Sequence, residues 1–467
     1  MRTFEFIRRR GLLVALLGAV VLSSGACDAV NRLMEVKNPE RLREQDLSDD
    51  KLVDVLVNSA QGDFQAAYAG TFVWIGEMLT DEAITGINWE DYKRANLRQV
   101  IYYEGPADNM FTDLQGARYT SELSSSKLKD MDPSKVSGDD LAKTLGYAGY
   151  AYIMLGDAMC GADLDEGSTV YTPDQLYQMA IDKLTEVLTT ATSDSLKNWA
   201  NVGLARAHLD RLEYADAMAA AQQVPAGFVY WAQYADDGTG RGTNALYGEV
   251  HGANFTMSVH PRFMYGGLTS YRAGHVDDAL QTDPRIQFAS DAVEGHDAIT
   301  PLFKPYQSMP FSGYTGNTIA NGAVQDDPNG VPLYDRGTSM QLASYLEAQH
   351  IYYEAGLMSG TLTDAQVEAF VNQRRAYGNE TAVSGLTGTA LREALREERA
   401  RDLFLGGFRL GDLRRYARQP NPTAANSFPT GTFPSAERGD YRDSACFPIP
   451  LSEYQGNRNL PDPNVGG

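Results

Sequence analysis

The sequence predicts a mainly α-helical protein: a scaffold of paired antiparallel helices that carries a loop-rich insertion and ends in an irregular tail. Three observations predict it. Apolar residues recur at helical spacing in both the N-terminal and C-terminal parts of the chain, with capping residues at several starts. Residues 228–335 shift to Gly, Pro, Tyr, Asn and Asp, and no helical period persists there. Beyond Gln419 the chain is again rich in Pro, Asn and Gly.

The chain opens on Arg2, Arg8, Arg9 and Arg10, followed by an apolar run over 12–22. That run is shorter than the roughly 20 apolar residues a membrane span needs. Ser23, Ser24, Gly25, Ala26 and Cys27 come next, the pattern of a bacterial lipoprotein signal. Residues 1–26 are therefore expected to be a signal peptide and Cys27 the lipidation site, with an ordinary cut near Ala26 as the alternative. The polar segment 27–50 reads as a tether.

Residues 51–227 read as an N-terminal helical region. Leu52, Val55, Leu56 and Ser59 share one face, and a further helical stretch over 97–129 is interrupted by Gly105 and Pro106. Asp139 or Asp140 can cap a helix through Leu141, Leu145, Ala148, Tyr152 and Leu155. Thr172 caps the next, with Pro173 at its first position and Gln175 placed to close a capping box. Asp194 or Ser195 opens a third helix bearing Val202, Ala205, Leu209 and Leu212. A turn at 212–214 leads to a fourth with Ala217, Ala221 and Val224. Paired helices with Ala where they cross make this a tetratricopeptide-like helical-repeat scaffold. Residues 228–335 are the loop-rich insertion. Residues 336–418 are a C-terminal helical region, with helices predicted over 339–356, 363–377 and 389–418. Residues 419–467 are expected to wrap the surface, and 27–467 to form one domain.

A net charge of −21 and a pI near 4.7 repel phosphate backbones and anionic headgroups, which excludes nucleic acid as a partner. A neutral ligand such as a sugar is compatible with that charge. With Cys27 acylated, Cys160 and Cys446 remain; a disulfide is open to them, but two isolated thiols in packed helices are the expectation. No Gly-x-Ser-x-Gly elbow, phosphate-binding Gly-rich loop or His-Glu-x-x-His spacing occurs. Asp163, Asp165, Glu166 and Gly167 resemble a calcium loop without its closing Glu, and read as a solvated turn. No catalysis, cofactor or metal is expected.

Four stretches resemble the SusD/RagB family. One is Tyr345-Leu346-Glu347-Ala348 through Ala355-Gly356, followed by Asn372-Gln373-Arg374-Arg375. The second is Glu397-Glu398-Arg399 with Gly407-Phe408-Arg409 and Asp412-Leu413-Arg414-Arg415. The third is Phe447-Pro448-Ile449-Pro450 with Glu453 and Asn459, and the fourth Asp283-Pro284-Arg285. Within the second, Glu397 and Arg401 stand one helical turn apart and can bridge. Glu398 and Asp402 are like-charged and need partners, for which Arg399, Arg409, Arg414 and Arg415 are at hand. The cluster is expected to lock the last helices onto the scaffold rather than to do chemistry.

The resemblance implies an outer-membrane lipoprotein facing the cell exterior. Such a protein binds oligosaccharide or another nutrient for a SusC-type TonB-dependent transporter. It also implies a surface site in which aromatic faces stack on sugar rings and polar groups meet hydroxyls. Asn88, Trp89, Asp91 and Tyr92, just after the Gly86 turn, are the first candidates. Trp231, Tyr234, Tyr265 and Tyr271, in or beside the insertion, come second, and Trp74 reads as core. The alternative is a repeat scaffold or peptide-capture protein that binds no glycan.

Overall fold

Helical spacing becomes a stack of antiparallel hairpins in the computed structural model. It describes residues 49–235, 242–250, 256–264, 283–286, 288, 293–305, 337–420 and 427–460. Cys27, the signal and the tether lie outside the described residues, as do Tyr265 and Tyr271. The first helix, α1 (Val53–Ala67), passes through a π-helical turn (Tyr68–Val73) into α2 (Trp74–Glu77). After β1 (Ala83–Thr85) and α3 (Glu90–Asn96) come the long helices α4 (Gly105–Asp130) and α5 (Gly138–Ala158). The hairpin β2 (Ala162–Asp163) and β3 (Val170–Tyr171) leads to α6 (Pro173–Thr190), α7 (Asp194–Asp210) and α8 (Tyr214–Ala221). Each of α4 to α7 packs on the next, α1 lies on α4 and α5, and α8 packs on α10 of the C-terminal part.

The insertion supplies β4 (Val229–Ala232), α9 (Leu246–Val250), β5 (Met257–Val259), β6 (Val293–Glu294) and β7 (Pro301–Leu302). The C-terminal part holds β8 (Met340–Ser344), α10 (Tyr345–Ser359), α11 (Asp364–Tyr377), α12 (Gly388–Asp402), α13 (Arg409–Arg418) and α14 (Leu451–Gly456). All strand pairs are antiparallel and two-stranded: β1 with β5, β2 with β3, β4 with β8 and β6 with β7. Among the described residues no helix is long and apolar enough to cross a membrane.

Local chemistry sets several helix starts. Thr172 and Gln175 form the reciprocal capping box that the spacing predicts, and Thr363 and Gln366 form a second. Other boundaries move. Ser137, not Asp139 or Asp140, caps α5 by accepting from the Asp140 N–H at 3.0 Å. Gly105 and Pro106 open α4 instead of interrupting a helix, since proline in the first turn has no N–H to satisfy. The buried face of α1 is Val53, Leu56, Val57, Ala60 and Phe64, leaving Val55 exposed. Residues 340–344 form a strand where a helix is predicted, because β4 offers them a ladder from more than a hundred residues upstream.

The scaffold closes around Trp199, which stacks between Tyr150 and Tyr230 at centroid separations of 5.1 and 4.3 Å. Gly146 on α5 lies against this ring, and a β-carbon there would overlap it. Gly146→Val therefore overpacks the α5–α7 contact and is expected to cost about 1–3 kcal/mol. Calorimetry checks it by a lowered Tm, with the exposed-face substitution Gly62→Ala, which meets nothing within 4 Å, as the control.

The charged C-terminal cluster is buried and locks the fold. Glu397 and Arg401 bridge at 2.9 Å, as their spacing predicts. The partners expected for Glu398 and Asp402 are elsewhere, however. Arg399 holds Asp412, Arg409 holds Asp81, and Arg415 spans Asp210, Glu354 and Asp412. Arg414 donates to the carbonyls of Gly156, Asp157 and Met159 at the end of α5. Glu398 and Asp402 instead meet Arg285 from the insertion, with Arg374 and His350 also on Asp402 and Arg375 on Glu398. Each of these guanidinium groups ties its own segment of chain to another.

Cys160 and Cys446 form a disulfide rather than two isolated thiols. The bond lies where the tail runs alongside the end of α5. There Cys160 N donates to Phe447 O at 2.8 Å, and Phe447 N to Ala158 O at 2.8 Å.

Candidate functional site

The residues 86–89 form a short loop between β1 and α3 that is tied at several points. Asn96 fixes its approach, accepting from Thr85 N at 3.0 Å while donating to Met78 O at 3.0 Å. Gly86 N donates to Thr256 O beside β5, and Gly86 O accepts from Asp297 N in the β6–β7 turn. Gly86 packs backbone to backbone on Gly295, and a side chain at either would collide with the other. Arg438 of the tail donates to Ile87 O at 3.2 Å and bridges Asp297 at 2.7 Å. Four stretches of chain thus meet under one loop: the N-terminal scaffold, two parts of the insertion, and the tail.

That loop presents Trp89. Its ring is 61% exposed, an uncommon state for the largest apolar side chain. Trp89 stands at the start of α3, where its carbonyl accepts from Lys93 N at 3.0 Å. Behind it, Tyr92 meets the Trp89 ring edge-on at 5.6 Å and stacks on Trp74 at 5.3 Å. Asn109 of α4 donates to the Tyr92 hydroxyl at 2.6 Å. Burial raises the Tyr92 phenol above its ordinary pKa, so it stays neutral. Asn88 and Glu90 are exposed beside Trp89, and Asp91 is half-buried. Arg94 bridges both Glu104, its Nε donating at 2.9 Å, and Glu90 at 3.2 Å. The arrangement is an open aromatic face on a braced loop, rimmed by an amide and carboxylates.

The structure brings Asn88, Trp89, Asp91 and Tyr92 together, but Tyr92 is 5% exposed and supports the platform rather than offering a face. Trp74, read as core, is half-buried and backs Tyr92. Tyr234 is a core residue and no ligand contact: it is buried, with its hydroxyl donating to Gln65 O at 2.8 Å. Its loop position hides this, because the burying partner is α1, far away in sequence. Trp231 is half-buried on β4 opposite Gln341, next to a bulge. Sequence reasoning missed Arg438 and Asp297, the loop's anchors, since nothing local marks either. It also missed Tyr103 and Tyr119, which are 60% and 54% exposed at the start and middle of the α4 region.

Cavities also lie elsewhere among the described residues. One of about 340 Å³, between α8 and α10, is lined by Tyr345, Gln349, Tyr352 and Tyr353. The other, of about 430 Å³, is lined by Gln115, Tyr119, Asp163, Glu166 and Glu453.

No family model matches the chain, and no curated protein does. Solved structures do. A SusD-like carbohydrate-binding protein from Bacteroides vulgatus superposes with a TM-score of 0.61 at 14% identity, over 88% of this chain and 97% of that one. Surface glycan-binding protein A from Bacteroides uniformis gives 0.57 at 12% identity, over 88% of this chain and 99% of its own. A structure solved with a xylogluco-oligosaccharide gives 0.61 at 12% identity, over 87% of this chain and 97% of that one. At these identities the likeness is one of fold.

Proposed function

Because this chain carries the SusD-like fold, we propose that it is a cell-surface binding protein for a neutral oligosaccharide, with Trp89 as the stacking platform. The single observation that carries the reading is the exposed Trp89 ring on a loop braced from four directions. A sugar ring lays its apolar face on an indole, while Asn88 and Asp91 meet hydroxyls. A rigid platform loses little freedom on binding, which favours affinity without large buried area. Net charge −21 suits an uncharged ligand. Two of the similar folds belong to proteins described as carbohydrate- or glycan-binding.

The wider reading follows from the N-terminal sequence and the family resemblance. Cys27 carries a lipid anchor in the outer membrane, and the protein passes ligand to a SusC-type TonB-dependent transporter. It performs no catalysis; sustained release of reducing sugar by the pure protein would overturn that part.

Calorimetry against a panel of neutral oligosaccharides tests the central claim. At least one binds the intact protein, and Trp89→Ala weakens it tenfold or more, equivalent to about 1.4 kcal/mol. Trp89→Phe retains part of the affinity. No binding across the panel would leave the helical-repeat scaffold, without glycan, as the function.

A further inference from the structure

We propose that the cleft between α8 and α10 is a second binding site, independent of Trp89, which takes a single neutral sugar ring. Its cavity of about 340 Å³ lies toward the lower end of the roughly 300–1,000 Å³ of ligand pockets, which suits one compact group. Tyr345, Ala348, Gln349 and Tyr352 fall at i, i+3, i+4 and i+7 on α10, so they share one face of that helix. Ala348 is the small residue among them and keeps the centre of that face low. The opposite wall lies where α8 stops at Ala221 and the chain turns through Val224.

Two kinds of surface meet in the cleft. Ala221, Val224 and Ala348 are apolar and buried. Tyr345, Gln349, Tyr352 and Tyr353 are half-buried and bring hydroxyls and an amide. Gln349 Nε2 donates to the Tyr345 hydroxyl at 3.3 Å, which leaves the amide oxygen and the Tyr345 O–H to be matched. Among the described residues no protein group bonds the hydroxyls of Tyr352 and Tyr353. Phe370 stacks on Tyr353 at 4.1 Å and Tyr352 meets it edge-on at 5.5 Å, so this wall is set before a ligand arrives. Burial, and after it Tyr352 and Tyr345, raise the Tyr353 phenol above its ordinary value, which keeps it a donor at neutral pH.

These groups select the ligand. No charged side chain lines the cavity, so a phosphate or carboxylate would shed water without gaining a counter-charge. A hydrocarbon would strand the amide and the hydroxyls. An extended peptide binds best along a strand edge, whereas this cleft lies between a helix face and a helix end. A pyranose has an apolar C–H face for the floor and a rim of hydroxyls for the tyrosines and Gln349.

The test uses the full chain carrying Trp89→Ala, so that the platform contributes nothing. It is titrated by calorimetry with the methyl glycosides of glucose, galactose, mannose and xylose. At least one is expected to bind, and methyl glucuronide, which adds a carboxylate, to bind about tenfold more weakly. Gln349→Leu and Tyr352→Ala, both at half-buried positions, each weaken the neutral glycoside about tenfold. Where Tyr352→Ala lowers the Tm, Gln349→Leu decides alone. No binding of any neutral glycoside overturns the proposal and leaves the Trp89 reading standing, because oligosaccharide binding by the intact protein tests that separately. Binding that Gln349→Leu leaves unchanged also overturns it, as does binding of acetyl-trialanine amide in place of the sugars.

Discussion

Arg285→Met is expected to destabilise the protein by about 3–5 kcal/mol, the cost of leaving buried carboxylates without their cation. Arg285 is fully buried. Its two terminal nitrogens reach Asp283 at 2.6 Å, Glu380 at 2.8 Å, Glu398 at 2.7 Å and Asp402 at 3.2 Å. Met matches the length but brings no charge, and Arg285→Lys recovers only part because an ammonium cannot fork between four acids. The loss depends on pH. Burial already pushes Glu398 up to about 7, against the pull of Arg285. A raised carboxyl holds a proton in the native state that the unfolded chain would release, so stability falls as pH rises from near 4.5 through the native value. Removing Arg285 raises Glu398 further. The deficit of the variant is therefore largest above pH 7 and narrows toward pH 5. Urea unfolding at both pH values measures it, with the midpoint falling and the slope unchanged. A deficit under about 1 kcal/mol would mean that the cluster locks nothing.

Breaking the Cys160–Cys446 bond is the second large effect. The bond joins residues 286 apart, and removing a native disulfide typically costs about 2–5 kcal/mol. Cys160→Ser and Cys446→Ser should each lower stability by the same amount, and the double variant by no more than either, because all three lack one and the same link. Reductant should reproduce the shift in the intact protein and leave the variants unmoved. The buried Phe447 and its two backbone bonds to the end of α5 remain after the bond is cut. If the Tm is unchanged by reductant, that pairing alone holds the tail.

What was legible in the sequence was what local chemistry decides. Thr172, Pro173 and Gln175 lie within one turn of one another, so their capping box can be read without knowing the fold. The small residues Ala205, Ala217 and Ala221 are buried where the repeat pattern puts them. The exposed Trp89 was placed by a turn signal and by resemblance. What could not be read depends on distant partners. Residues 340–344 have helical spacing yet pair with β4, and Tyr234 has a loop's surroundings yet lies under α1. Arg285 looked like a short motif; its four acids come from its own loop and from α12 and the loop after α11. Pairing of the cysteines required knowing that the tail returns to the end of α5.

The brace under Trp89 has a consequence for the order of folding. Arg438 follows Ile87, whose carbonyl it holds, by 351 residues, so this anchor closes only across the whole fold. Until the segment around residue 438 has docked, the loop that carries the indole lacks that anchor.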